Sequence, residues 1–151
     1  MPDDATAVPS AWGELTRATT TLTSGETLIH DWYDTSAADV ADGDPELMLR
    51  ATDPDAAAAL LPRVAAFFAD RAGWHRRATD AVVAEFTTGE PTADDLAEAA
   101  DDLVLQTVEV LPEGDVVLHL DDSCGKHFLD GYWPAVRFDA KDAVAEVSVE
   151  A

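Results

Sequence analysis

The period of the apolar residues changes twice along this chain, and the double change sets the fold class. Between residues 116 and 120, Val116, Leu118 and Leu120 alternate with Val117 and His119. That is the period of two of a strand with one buried face. Between residues 60 and 86 the apolar residues fall three and four apart instead. Leu60, Leu61, Val64, Phe67 and Phe68 share one helical face, and Trp74, Ala78, Ala81, Val82 and Phe86 share another. Strand-type sequence returns on both sides of this block. The pattern predicts an α+β chain with its helices packed on one face of a sheet.

The strand runs can be placed more closely. "AWGELTRATTTLTSGETLIHDWYD" is rich in β-branched and aromatic residues, with Ser24-Gly25 as a turn, so strands are expected near 13–22 and 26–33. An acidic loop, "TSAADVADGDP", precedes a third strand at 46–51. These three make an N-terminal antiparallel β-meander. After the helices, Val104, Val108 and Val110 line one face of a strand at 103–111, and "PEGD" turns the chain into the strand at 116–120. A strand in which Tyr132, Val136 and Phe138 alternate follows, then one with Ala145, Val147 and Val149. The expectation is a C-terminal four-stranded antiparallel sheet. Pro134 marks its own strand as an edge or a bulge, because proline cannot donate to a ladder.

Two to three helices lie between. Asp53 caps the first, with Pro54 in the first turn, where a missing N–H is harmless. Pro62 predicts a kink or restart and Gly73 a stop, with the next helix running from Trp74 to Phe86. Thr92 and Asp95 form a capping box for a short helix over 93–101, with Leu96 and Ala100 inward. Residues 1–9 read as a loose tail, and 10–151 as a single α+β domain.

Charge narrows the function classes. The 151 residues include 31 Asp and Glu against 9 Lys and Arg, a formal net charge of −22. Phosphate backbones are bound by clustered Lys and Arg, and Arg76-Arg77 is the only adjacent basic pair, so no nucleic-acid binding is expected. Anionic membranes are disfavoured for the same reason. A basic protein partner would be attracted and its association accelerated. The excess of Asp over Glu and the scarcity of Lys equally fit a chain adapted to a salty cytosol, where screening mutes self-repulsion. A lone Cys124 suits a reducing compartment. "MPDDATAVPS" has neither the basic nor the apolar segment of a signal peptide, and no apolar run approaches a membrane span. A cytoplasmic location is expected.

Chemistry-bearing residues concentrate in "LHLDDSCGKHFLDGYWP", residues 118–134. His119, Asp121, Asp122, Cys124 and His127 offer imidazole, carboxylate and thiolate. Structural zinc usually takes paired close ligands, and this stretch has one Cys and no second pair at matching spacing, so no metal or cofactor is expected. Lys126 and His127 could activate Cys124, but a strand–loop–strand context supplies no oxyanion site. Asp121, Asp122 and Asp130 would raise the thiol pKa. No catalytic residue is assigned. Tyr132 and Trp133, neighbours on a strand, send one ring inward and the other outward, and an outward ring beside Pro134 would mark a contact surface. The candidate binding residues are Tyr132, Trp133, Asp121, Asp122 and His127.

The chain also resembles an uncharacterised bacterial domain-of-unknown-function family. The matching pieces are "GEL" at 13–15, "LPRVAAFFADRAGWHRRATDAVVAEF" at 61–86, "LVLQTVEVLPEGDVVLHLDD" at 103–122 and "FLDGYWPAVRFD" at 128–139. A Gly-His frequent in that family is Gly131-Tyr132 here. The resemblance implies the strand–helix–strand layout and brings no activity with it. The resulting expectation is a non-catalytic, protein-binding factor of accessory or immunity-like kind. The alternative is a small-ligand binder or hydrolase-type enzyme with a pocket near His119, Asp121 and His127.

Overall fold

Strands separated by short turns pair with their chain neighbours, and here every one does. The structure is a computed structural model, and it describes residues 7–35, 40 and 43–151. Strands β1 (Leu15–Thr21), β2 (Thr27–Thr35) and β3 (Glu46–Leu49) form the expected meander. Most of the acidic loop between β2 and β3, and the first six residues of the supposed tail, lie outside the described residues. Val8, inside that tail, is buried and exchanges backbone hydrogen bonds with Leu15.

Strands β4 (Leu103–Val110), β5 (Val116–Asp122), β6 (Trp133–Phe138) and β7 (Val144–Glu150) form the second meander. The two meanders are not separate sheets. β3 runs parallel to β4, with Leu47 opposite Val108 and Leu49 opposite Val110, and one seven-stranded mixed sheet results, ordered β1 to β7. The expected four antiparallel strands are present, but as part of this larger mixed sheet. The intervening helices carry the chain back to the end of the sheet at which β3 began, which is what a parallel pair requires.

Those helices are α1 (Pro54–Ala59), α2 (Leu61–Ala69), α3 (Arg71–Phe86) and α4 (Ala93–Asp102). Asp53 caps α1 through Ala56 N–H, and the chain restarts at Leu60, just before Pro62. Gly73 is not a stop. It lies in the first turn of α3, where its N–H donates to the capping carboxylate of Asp70. A Cβ at this position would fall 2.3 Å from that carboxylate, so glycine makes room for the cap. The Thr92–Asp95 capping box forms as expected, although Ala99 is the buried residue of α4.

The helices cover one sheet face. Leu49, Val108, Val110, Leu118, Val136 and Phe138 meet Val64, Phe67, Trp74 and Ala78, all buried in one cluster. Trp74 packs edge-on against Phe138 at 5.0 Å between centroids, and Arg77 lies over the Trp74 ring at 4.7 Å. A register shift between Leu105 and Thr107 flips the start of β4, so Leu103 is buried and Val104 is 49% exposed. β6 is an interior strand of the sheet, yet at Pro134 it is an edge, as the proline implied, paired on the β7 side alone. The β5 pairing reaches only to Ala135, so Pro134 lies beyond it. Tyr132 precedes β6 and is exposed, outside the Val136–Phe138 alternation. No helix among the described residues is long and apolar enough to cross a membrane.

Candidate functional site

The C-terminal turns of α3 carry more apolar surface than the core consumes. Val82 and Val83 are buried, but Phe86, expected inside, is 52% exposed. It meets Phe128 of the β5–β6 loop edge-on at 5.6 Å. Both rings line a cleft of about 600 Å³. Its apolar lining includes Ala99, Leu103, Leu129, Tyr132 and Val149, and its polar lining includes Asp95 and Glu98 on one side and Lys126 and His127 on the other. Leu129 is 79% exposed, an apolar side chain held at the mouth.

Asp122 builds the loop that forms this wall. Its carboxylate accepts from the backbone N–H groups of His127 (2.8 Å) and Phe128 (2.9 Å), and the Cys124 thiol donates to its other oxygen at 3.4 Å. Local desolvation works against the charge, but the two backbone donors outweigh it and hold the carboxyl below its ordinary range. Ser123 fastens the loop to α4 through two hydrogen bonds to the carbonyl of Asp102.

This fastening brings Asp102 against His127. Asp102 Oδ2 lies 3.0 Å from His127 Nε2, and the hydrogen bond from His127 lowers the carboxyl pKa against local desolvation. The two acids that end α4 therefore differ: Asp101 is exposed, and Asp102 is half-buried and engaged. Cys124 completes a group of three in which the carboxylate oxygen, thiol sulfur and imidazole nitrogen all lie within 4.8 Å of one another. The Lys126 backbone N–H favours the thiolate, yet desolvation and the carboxylates of Asp122 and Asp102 prevail and push the thiol up. The expected acidic suppression holds, though Asp102 acts beside Asp122, where Asp121 and Asp130 had been expected.

His119 is elsewhere. Alternation along β5 sends it to the sheet face away from the helices, where Glu109 is nearly buried. Trp133 Nε1–H donates to His119 Nδ1 at 3.1 Å, so a neutral ring carries its proton on Nε2 and donates to Glu109 Oε1 at 2.9 Å. Arg50 donates to the other Glu109 oxygen at 2.6 Å and lies over the Trp32 ring at 5.0 Å. Burial opposes the Glu109 charge, but the hydrogen bonds from His119 and Arg50 win and lower its pKa.

The sequence-derived candidates thus part company. His127 and Tyr132 line the cleft. Asp121 and Asp122 line a smaller depression beside it, and His119 lines a third on the opposite sheet face. Trp133 is half-buried, its indole tied to His119, so it offers little contact surface. Glu109, Asp102 and Phe86 were missed. A charge between Val108 and Val110 was the available signal for Glu109. Compared with protein-family models, curated proteins and solved structures, the chain matches none.

Proposed function

We propose that this protein binds a small molecule with an apolar body and a cationic end in the cleft between α3, α4 and the β5–β6 loop. The cleft itself carries the reading. Its volume of about 600 Å³ is typical of small-molecule sites, which run from about 300 to 1,000 Å³ and are mostly apolar with a few placed polar groups. Asp95 and Glu98 on the rim favour a cation there. The net charge of −22 raises the local concentration of cationic ligands generally.

The test is displacement of a neutral apolar dye by alkyl amines and by carboxylates of equal chain length. Amines should displace the dye at lower concentration. The double variant Phe86→Ala, Leu129→Asp alters two exposed side chains and should abolish dye binding. Unchanged dye binding in that variant would refute the cleft as the site. A second reading is the accessory or immunity-like factor that binds a basic protein. Its support is the acidic surface alone, and a partner captured at low salt and released at high salt would favour it.

A further inference from the structure

Among the described residues, the Asp102–Cys124–His127 group is the one set of three His, Cys, Asp or Glu side chains whose donor atoms converge closely enough to hold a metal ion. We infer that it is a binding site for a zinc-class divalent cation, with three protein ligands and an open fourth position at the cleft wall.

Donor identity is the first support. Thiolate, imidazole and carboxylate suit a borderline ion such as Zn²⁺, and three protein ligands with a free position are the pattern of zinc sites that act on a bound molecule. Geometry is the second. Bonds of about 2.0–2.3 Å in a tetrahedral arrangement place ligand atoms roughly 3.3–3.8 Å apart. The three donor atoms here lie within 4.8 Å of one another, so small side-chain movements suffice. The third support is α4. Its last turn holds Asp101 and Asp102 and no basic residue, so two carboxylates stand at the negative end of the helix dipole. A cation at Asp102 compensates that charge.

The surrounding loop is arranged for the role. Asp122 orients Cys124 and the backbone of His127, and Ser123 locks the loop to the Asp102 carbonyl. Asp122 is a positioning residue. On binding, the Cys124 thiol releases its proton to water as the S–metal bond forms, the His127 Nε2 proton is exchanged through water onto Nδ1 so that the ring stays neutral with Nε2 free to bind, and the ion replaces the hydrogen bond between His127 and Asp102. His127 also lines the cleft. The inference does not depend on the cleft taking an organic ligand, because it is tested with the metal alone.

The experiment is titration of the reduced protein with Co²⁺, followed by competition with Zn²⁺. The expected result is one equivalent of Co²⁺ bound with a thiolate-to-cobalt charge-transfer band that Zn²⁺ removes. Cys124→Ser should abolish the band, and Asp102→Asn and His127→Gln should each weaken binding at least tenfold. His119→Gln should bind as the parent does. All four are checked for native circular dichroism. Absence of the band in the parent protein, or weak multi-site binding equal in parent and Cys124→Ser, would overturn the assignment and leave only the general attraction of an acidic surface.

Discussion

Two histidine–carboxylate pairs, on opposite sides of the sheet, have nearly the same length and different characters. His119 and Glu109 lie 2.9 Å apart, and His127 and Asp102 lie 3.0 Å apart. The first pair is closed. Both ring nitrogens of His119 and both oxygens of Glu109 have partners, and Glu109 is nearly buried. The second pair is open. Its histidine lines the cleft, an exposed thiol lies beside it, and its groups come from a helix end and a loop. A polar network with every atom partnered fixes structure. One that leaves a donor or acceptor direction free can take a ligand.

Breaking the closed pair should have the largest effect. Glu109→Ala leaves Arg50 and His119 without their shared acceptor and should cost about 2–4 kcal/mol in urea unfolding. Asp102→Asn in metal-free protein should lower the unfolding midpoint far less, because its hydrogen bond with His127 is more open to solvent. Equal losses at the two sites would erase the distinction.

The pH dependence sharpens the same contrast. The folded Glu109 pKa lies below its ordinary value of 4.5. Its contribution to stability is therefore fully present above that value and is lost as the pH falls through the lower, folded one. Glu109→Gln should flatten this acid limb in unfolding measured between neutral and strongly acidic pH, and Asp122→Asn should leave much of it in place.

Trp133→Phe removes the indole N–H together with part of the ring and should cost about 1–2 kcal/mol. Nitrogen chemical shifts of His119 should then show a mixture of tautomers where the parent shows the Nε2–H form.

Salt gives the smallest difference. Rising salt should raise the melting temperature of so acidic a chain, steeply if the acidity is an adaptation to salt. The Glu109→Ala penalty should change by less than about 0.5 kcal/mol between dilute and molar salt, because buried pairs are weakly screened.

Most strands and helices were legible because period and capping are local properties. Val116, Leu118 and Leu120 are all buried, as their alternation required, and Asp53, Pro54, Pro62, Thr92 and Asp95 act as their chemistry implies. Local signals misled where two of them competed. Gly73 reads as a stop, but Asp70 caps the next helix over it. Val104 reads as inward, but the register shift after it turns it out. The site was less legible because its partners are remote in sequence. Asp102 and His127 belong to different elements, and the β4–β5 register, with Leu103 opposite Asp122, and the Ser123 tether bring them together. Trp133 and His119 meet through register, since His119 stands opposite Ala135 and Trp133 lies two residues along the same face.

The parallel pairing of β3 with β4 has a kinetic meaning. Each meander consists of hairpins between sequence neighbours, which close short loops. The seam between them pairs Glu46–Leu49 with Thr107–Val110 across the entire helical block. Closing so long a loop is entropically dear, and only four residues of β3 reward it. Contact order therefore predicts that the two hairpin sets gain structure before the seam closes along this one short strand.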